Sequence, residues 1–495
     1  MNRLDDLLYR GAPDATALIA GDQRATYAGV DAQVSAVAAG LMACGIAKGD
    51  RIAVWLPKRI ETVVMSFAIS RAGAVLVPIN PVLKAGQVAH ILSDSGARLL
   101  MTTTARAVTL ESVQIETLLT VEDDWTGLIE YQPGPIAEAS DIAAILYTSG
   151  STGRPKGVVL THDNLLIGAA SVVAYIGHQP NDHILCVLPL SFDAGFNQVT
   201  AAFCAGAAAV LVDYLLPQDV VRAVARHGIT HITGVPPLWT QLADTNWPED
   251  LRGQVQCIAS TGGRMSGDLV ARLRKLFPAA RLFLMYGLTE AFRSSYLDPD
   301  LVDQRTDSIG KAIPNAEILV VRPDGSITDP EEPGELVHVG PLVSQGYWGD
   351  PVRTAEIFRP APPAAVSGNI GVWSGDTVRR DADGFLYFVG RSDEMIKISG
   401  YRVSPTDIEE AAVATGAVDE AVAIGVSDDR LGQAIHLVAS PRRGMDIKQA
   451  ESQLRLKMTA AVPTYMVPSG VHWRSDLPRN ANGKLDRAAL RREFG

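Results

Sequence analysis

Short apolar runs alternate with longer stretches of helical spacing along the first 285 residues of this chain, and that alternation restricts its fold more than any other feature. Residues 31–44 carry small and apolar side chains at helical spacing and stop at Gly45; residues 50–56 then read as a buried strand. Residues 61–71 fit a helix and 73–78 a strand. The rhythm resumes with strand-like 184–188, helical 219–227, strand-like 231–233, helical 269–277 and strand-like 281–285. Helices interleaved with strands in this way predict an α/β fold with a largely parallel sheet.

At 495 residues the chain is too long for one ordinary core, so two or more domains are expected. From about residue 309 the texture changes. Short β-like pieces at 317–321, 335–339 and 385–389 are separated by Asp324-Gly325, Pro333-Gly334 and Asp383-Gly384, which predicts a β-rich subdomain of hairpins. Residues 360–368, PAPPAAVSG, read as an exposed, mobile loop. After Gly390-Arg391-Ser392-Asp393 a small unit follows, with helix 405–415, strands 420–425 and 434–440, and helix 447–460.

Composition excludes several classes. Apolar residues at 47% and charged residues at 20% fit a soluble globular protein, and no apolar run reaches the roughly 18 residues of a membrane span. The N-terminal MNRLDDLLYRGAPDA lacks the apolar core of a secretory signal. Cys44, Cys186, Cys204 and Cys257 lie far apart without a CxxC pair, which argues against a disulfide framework or zinc site and for a cytoplasmic location. The nine histidines show no metal-ligand spacing. A net charge of −11 argues against nonspecific nucleic-acid binding, although a phosphate ligand needs only local positive charge.

Residues 147–157 read YTSGSTGRPKG. An apolar strand-like run, 142–147, precedes them; a second, 158–160, follows, and Thr161-His162-Asp163-Asn164 offers caps to a helix. A glycine-rich loop with several hydroxyls and two cations suits a polyphosphate. The same composition fits a solvated hairpin turn, and both readings stay open on these residues alone. The familiar nucleotide loop is a different pattern, since here Pro155 precedes Lys156 and Gly157 follows it.

Four further segments join that loop: YGLTEA at 286–291, GELVHVG with GYW at 334–348, SGDTVRRDADGFLYFVGRSDE at 374–394 and PRNANGKLDR at 478–487. Together, and in this order, they resemble the AMP-forming adenylating superfamily of acyl-CoA synthetases, peptide-synthetase adenylation domains and luciferases. LPLSFDAGFNQ, MYGLTEAFRSSYL and GRSDEMIKISGYRVSP are most similar to the ligases of exosortase gene clusters. The resemblance implies an α/β protein. A large N-terminal domain, 1–391, would hold two α/β sheet subdomains plus a β-rich subdomain; a hinge, 392–394, would lead to a small mobile C-terminal α+β domain, 395–495.

It also implies a two-step reaction, in which ATP and a carboxylate give an acyl-adenylate and a thiol then displaces AMP. In that scheme Thr148, Ser149, Gly150, Ser151, Thr152, Gly153 and Lys156 hold the phosphates. Glu290 beside Thr289 holds Mg²⁺, a hard cation. Tyr286, with Gly287, stacks on adenine and Gly262-Gly263 lies beneath it, while Asp376 and Arg391 meet the ribose. Lys484 bridges carboxylate and α-phosphate in the first step; Asp393 is the hinge; Gly400, Tyr401 and Arg402 line the thiol tunnel in the second. Read singly, Glu290 fits a capping residue equally, Asp376 and Arg391 each fit half of a surface ion pair, and Lys484 fits a solvated turn tip after Asn482-Gly483.

The acyl pocket is expected around Asp193, Ala194, Asn197, Gly234, Arg293 and Ser294. A buried, unpaired Arg293 should meet an anion; the alternative is a silent Arg293–Asp193 pair across the pocket. A polar acid carrying an amine, a second carboxylate or both is therefore expected over a long-chain fatty acid. The thiol acceptor is coenzyme A or the phosphopantetheine of a separate acyl carrier protein. A stand-alone amino-acid adenylating enzyme and a catalytically silent ATP-binding partner are the competing functions.

Overall fold

The computed structural model of the chain describes residues 2–110, 113–148, 155–391, 396–398, 401–428, 432–462, 464–480 and 483–494. The chain divides into two units, the first drawn from residues 1–150, 154–319 and 337–372, the second mainly from 320–336 and 373–495.

In the first unit the alternation becomes two sheets. One runs in the order Thr117–Thr120, Leu99–Thr102, Arg51–Val54, Val75–Pro78, Ile142–Thr148 and Lys156–Thr161. Its neighbours are parallel except the last pair, which is antiparallel. Leu99–Thr102 and Val75–Pro78 are buried at every position, as expected of parallel strands covered on both faces. The second sheet places Arg281–Tyr286, Cys257–Ser260, His231–Gly234, His183–Cys186, Ala208–Leu211 and Thr16–Ala20 side by side and parallel. Antiparallel Gln23–Thr26 closes one end; antiparallel Ser295–Leu297 and then Ser308–Ala312 extend the other. Between Tyr286 and Ser295 the chain must reverse direction, and that reversal carries Glu290 and Arg293.

Two helices bring the remaining site residues into the interior. His162–Ile176 starts where Thr161 Oγ1 accepts from the Asn164 amide at 3.1 Å, the expected cap, and ends at Gly177. Asp193–Ala205 follows the strand His183–Cys186 and is buried from Gly195 to Cys204. With residues buried on every face it has no polar stripe, so no helical period marks it in the sequence. Leu165, Ala169, Phe196, Val199 and Phe203 of these helices join Phe67, Leu76 and Leu146 in one core.

The second unit includes, from Trp373 onward, the hairpin of Ile370–Arg380 and Leu386–Arg391, turned at Asp383-Gly384 with Gly384 at φ 85°. Asp324-Gly325 also turns, but Pro333-Gly334 does not. Gly334 already belongs to the strand Gly334–Val339, and the left-handed residue of that reversal is Glu331, at φ 69°. Farther on, Tyr401–Val403, Ile396–Ile398, Gly432–Pro441 and Val418–Asp428 form a sheet, with Gly470–Trp473 parallel to Gly432–Pro441. Helices Pro405–Ala414 and Ile447–Ala461 contribute Ile408, Ala412, Leu454 and Met458 to a core with Ile435 and Leu437. The loop 360–368 is largely exposed but tied down: the Val366 and Ser367 amides donate to Glu317 Oε2 at 3.0 and 2.8 Å. No described helix is long and apolar enough to cross a membrane.

Candidate active site

Three adjacent parallel strands end in site residues. Gly234 closes His231–Gly234, Thr261-Gly262-Gly263 follows Cys257–Ser260, and Gly287 follows Arg281–Tyr286. Carboxyl ends of parallel strands are where α/β sheets bind ligands. Gly262 has φ 77°, a left-handed conformation that a side chain would strain.

Glycine-rich loop 147–157 links two antiparallel strands, with Thr148 opposite Lys156. Lys156 turns inward from the loop's far side. Its Nζ lies 3.0 Å from Glu290 Oε1 and 2.6 Å from Tyr347 Oη, and that hydroxyl donates to the same carboxylate oxygen at 2.7 Å. The ammonium also sits 4.2 Å from the centre of the Tyr347 ring. Burial pushes the Glu290 carboxyl up, but the Lys156 charge and the Tyr347 hydroxyl outweigh it and hold Glu290 below the ordinary carboxylate range. An ionised carboxylate beside hydroxyl oxygens suits a hard cation such as Mg²⁺. Thr148 Oγ1, at the loop's near edge, is buried without a hydrogen-bond partner among the described residues. Glu290 lies in the turn Thr289–Ala291, a single 3₁₀ turn rather than a capped helix.

The turn then makes an unusual move. Phe292, fully buried, has φ 55°, rare for a bulky residue, and its ring lies against Gly168. Arg293 follows, buried at 3% exposure. It lines a small cavity with Ala194, Asn197 and Ala201 from one face of the helix Asp193–Ala205, and with His178 and Met285. Arg293 does not pair with Asp193. Its Nη1 donates to Thr261 Oγ1 at 3.1 Å, while Asp193 Oδ1 accepts from Thr289 Oγ1 at 3.4 Å. Ser294 and Gly234 stay out of the cavity lining: Ser294 is fully buried against His338 Nδ1 at 3.0 Å, and Thr233 faces the cavity in place of Gly234.

In the second unit, Asp376 and Arg391 face each other across the hairpin ladder, Oδ1 to Nη1 3.0 Å. Asp376 is buried and Arg391 exposed, so each is half of an ion pair, made with the other. Lys484 is exposed on a hairpin turn: its amide donates to Asn480 Oδ1 at 3.1 Å and its carbonyl accepts from the Asn480 amide at 2.8 Å. Ser149, Gly150, Ser151, Thr152, Gly153, Asp393 and Gly400 lie outside the described residues, as do the side chains of Tyr401 and Arg402, whose backbone forms Tyr401–Val403.

Sequence reasoning gave no role to Tyr347, although it stands in the GYW segment; only tertiary folding puts its hydroxyl on Glu290. Folding also gathers His178, Asp182 and His231, whose spacing shows no pattern. Asp182 Oδ1 lies 3.5 Å from His231 Nδ1 and Oδ2 lies 3.9 Å from His178 Nδ1. Burial, then His178, lowers His231 to about 4.

A parallel-sheet ligand cradle, a loop lysine tied to a buried glutamate and a separate small unit define a nucleotide-dependent enzyme. Residues 9–348 match the AMP-binding enzyme family and 407–484 the AMP-binding enzyme C-terminal domain, and the chain belongs to that family. It is 31% identical to feruloyl-CoA synthase of Amycolatopsis sp over 98% of this chain and 97% of that protein. It is 30% identical to surfactin synthase subunit 2 of Bacillus subtilis (strain 168) over 97% of this chain but only 13% of that protein. Among solved structures, ATP-bound MatB from Rhodopseudomonas palustris matches with a TM-score of 0.90 at 25% identity, covering 100% of this chain and 99% of that one. o-Succinylbenzoate CoA synthetase (MenE) from Bacillus subtilis, in complex with the acyl-adenylate OSB-AMP, matches at 0.86 and 27%, covering 99% and 98%. The chain is an AMP-forming acid–thiol ligase that draws on ATP, Mg²⁺ and a coenzyme A or phosphopantetheine thiol.

Proposed function

We infer that this ligase activates a small polar carboxylic acid and that its motif residues divide the two steps between them. In the first step a carboxylate oxygen attacks the α-phosphorus of ATP; the bond to pyrophosphate breaks and an acyl-adenylate forms. In the second a thiol sulfur attacks the acyl carbon, the thiol proton is lost and AMP departs with the anhydride oxygen. Positioning and charge neutralisation supply most of the acceleration in such chemistry.

The observation that carries this reading is the Lys156–Glu290–Tyr347 cluster at the foot of the 147–157 loop. Without nucleotide the two charges neutralise each other. With it, Lys156 would turn to the β- and γ-phosphates, joined by Thr148 and the loop hydroxyls, and Glu290 with Thr289 would hold Mg²⁺. That ion would offset charge on the phosphates as the bond to pyrophosphate breaks. Tyr347 keeps a hydrogen bond on whichever partner remains. Tyr286, Gly262 and Gly263 take the adenine and Asp376 with Arg391 the ribose. Lys484 serves adenylation from the C-terminal domain, 395–495, which turns about Asp393 so that Gly400, Tyr401 and Arg402 meet the pantetheine in the second step.

A second reading, a stand-alone amino-acid adenylating enzyme that loads a carrier protein, is favoured by Asp193, whose carboxylate could receive a substrate ammonium near Thr289. A cytoplasmic location agrees with four cysteines that form no disulfide. Acid-dependent ATP–pyrophosphate exchange tests the ligase, and repeating it with coenzyme A and with a holo carrier protein identifies the acceptor. Failure of every acid to support exchange would leave the silent ATP-binding partner as the function.

A further inference from the structure

The cavity that Arg293 lines contains a guanidinium with no carboxylate paired to it among the described residues. Arg293 carries five N–H donors, and one of them, on Nη1, has a partner, the neutral Thr261 hydroxyl. Its Nε is buried and has none among the described residues, and no carboxylate there forms an ion pair with it. Of the other polar side chains of the lining, Gln198 and Asn197 are already bonded, while His178 Nδ1 is buried without a hydrogen-bond partner among the described residues, 3.9 Å from Asp182 Oδ2. Gln198 receives the Leu188 amide at 3.1 Å and donates to the carbonyls of Leu185 and Thr233, at 2.9 and 3.0 Å; Asn197 donates to Thr200 Oγ1 at 3.3 Å. Val172, Ile176, Ile184, Ala194, Ala201 and Met285 supply the apolar part of the wall.

Burying a guanidinium in such surroundings costs several kcal/mol unless an anion accompanies it. The fold nonetheless holds it there by force, because Phe292 adopts a left-handed backbone, φ 55°, to send the next residue inward. Strain and an uncompensated charge at one point are what a ligand site retains and a silent core does not.

Resting on the ligase reading above, we propose that Arg293 selects the substrate: it binds a second, distal carboxylate, so that the acid activated is a short dicarboxylic acid. The cavity sets the length. The cavity as it stands admits about one water molecule, enough for the tip of a substrate and too little for an acyl tail. A planar guanidinium with its Nε edge open matches a carboxylate in the two-point manner that a lysine cannot.

The experiment compares acid-dependent ATP–pyrophosphate exchange with malonate, succinate and glutarate against propionate, butyrate and valerate, in the wild type, Arg293→Met and Arg293→Lys. Removing one partner of a buried charge pair is severe. Arg293→Met is therefore expected to lose about 100-fold or more in kcat/KM for the best dicarboxylate, with the monocarboxylates unchanged or improved, and Arg293→Lys to fall between. An unchanged dicarboxylate-to-monocarboxylate ratio overturns the proposal. So does a wild type that prefers neutral α-amino acids, which would assign recognition to Asp193. A second readout works even if no acid supports exchange, the result that defeats the ligase reading. At least one of malonate, succinate and glutarate should raise the melting temperature of the wild type and not of Arg293→Met, and the unliganded variant should melt at or above the wild type. A variant that melts well below the wild type makes Arg293 structural and overturns the assignment.

Discussion

Gly168→Ala tests whether the turn that presents Arg293 has any slack. Gly168 lies inside the helix His162–Ile176, where alanine is favoured by about 1 kcal/mol on intrinsic preference. The surroundings reverse that sign. A Cβ built on Gly168 would lie 2.1 Å from Phe292 Cδ1 and 2.4 Å from Cε1, whereas carbons rest about 3.5–4.0 Å apart. The ring must therefore withdraw by about 1.5 Å or more. It cannot do so cheaply, since Phe292 is fully buried and already at φ 55°. Overpacking of this kind costs about 1–3 kcal/mol, which leaves the variant about 0–2 kcal/mol less stable after the helix gain. Arg293 is the next residue, so the ring's retreat carries the guanidinium with it. A misplacement of about 1 Å can cost about 100-fold in rate. Thermal denaturation and exchange kinetics on Gly168→Ala, Phe292→Leu and the double variant form a cycle, and the smaller leucine should recover part of both losses. A Gly168→Ala protein that melts above the wild type and exchanges at the wild-type rate would refute the reasoning.

Lys484→Ala should abolish adenylation while leaving thiol transfer from pre-formed adenylate largely intact, and with its side chain exposed it should shift the melting temperature little; equal loss in both half-reactions defeats its assignment. Asp393→Pro, which fixes φ and removes an N–H, should slow thioester formation more than adenylation, and equal slowing counts against the hinge. Histidine ring resonances should show His231 titrating near 4 and His338 lower, near 3, because both are buried. A folded value below the unfolded one, about 6.5, means that their contribution to stability is full above pH 6.5 and is lost as pH falls toward 4. Either ring titrating near 6.5 in the folded protein would contradict the burial argument.

The fold was most legible where the chain alternates. Helix 61–71 and strands 73–78 and 281–285 fall within two residues of the observed elements because apolar runs and helical spacing are local properties. The helix Asp193–Ala205 escaped because burial on every face erases its period. Pro333-Gly334 misled as a turn because the reversal uses Glu331 instead. At the site, motif residues could be named but not their partners. Tyr347 stands 57 residues from Glu290 and 191 from Lys156, distances that no window of sequence spans. Arg293 shows the same limit from the other side. Its type raised the question of an anion, but only tertiary structure separates it from Asp193 and shows that Gln198 and Asn197 in the same cavity are already bonded.

Acid-dependent exchange of labelled pyrophosphate into ATP, with Mg²⁺ and the purified chain, tests the central claim most directly. Label is expected in ATP only when acid and Mg²⁺ are both present, with short dicarboxylates strongest and the signal lost in Glu290→Gln and Lys484→Ala. Label that appears without acid, or hydrolysis to ADP and phosphate with no exchange, would contradict it.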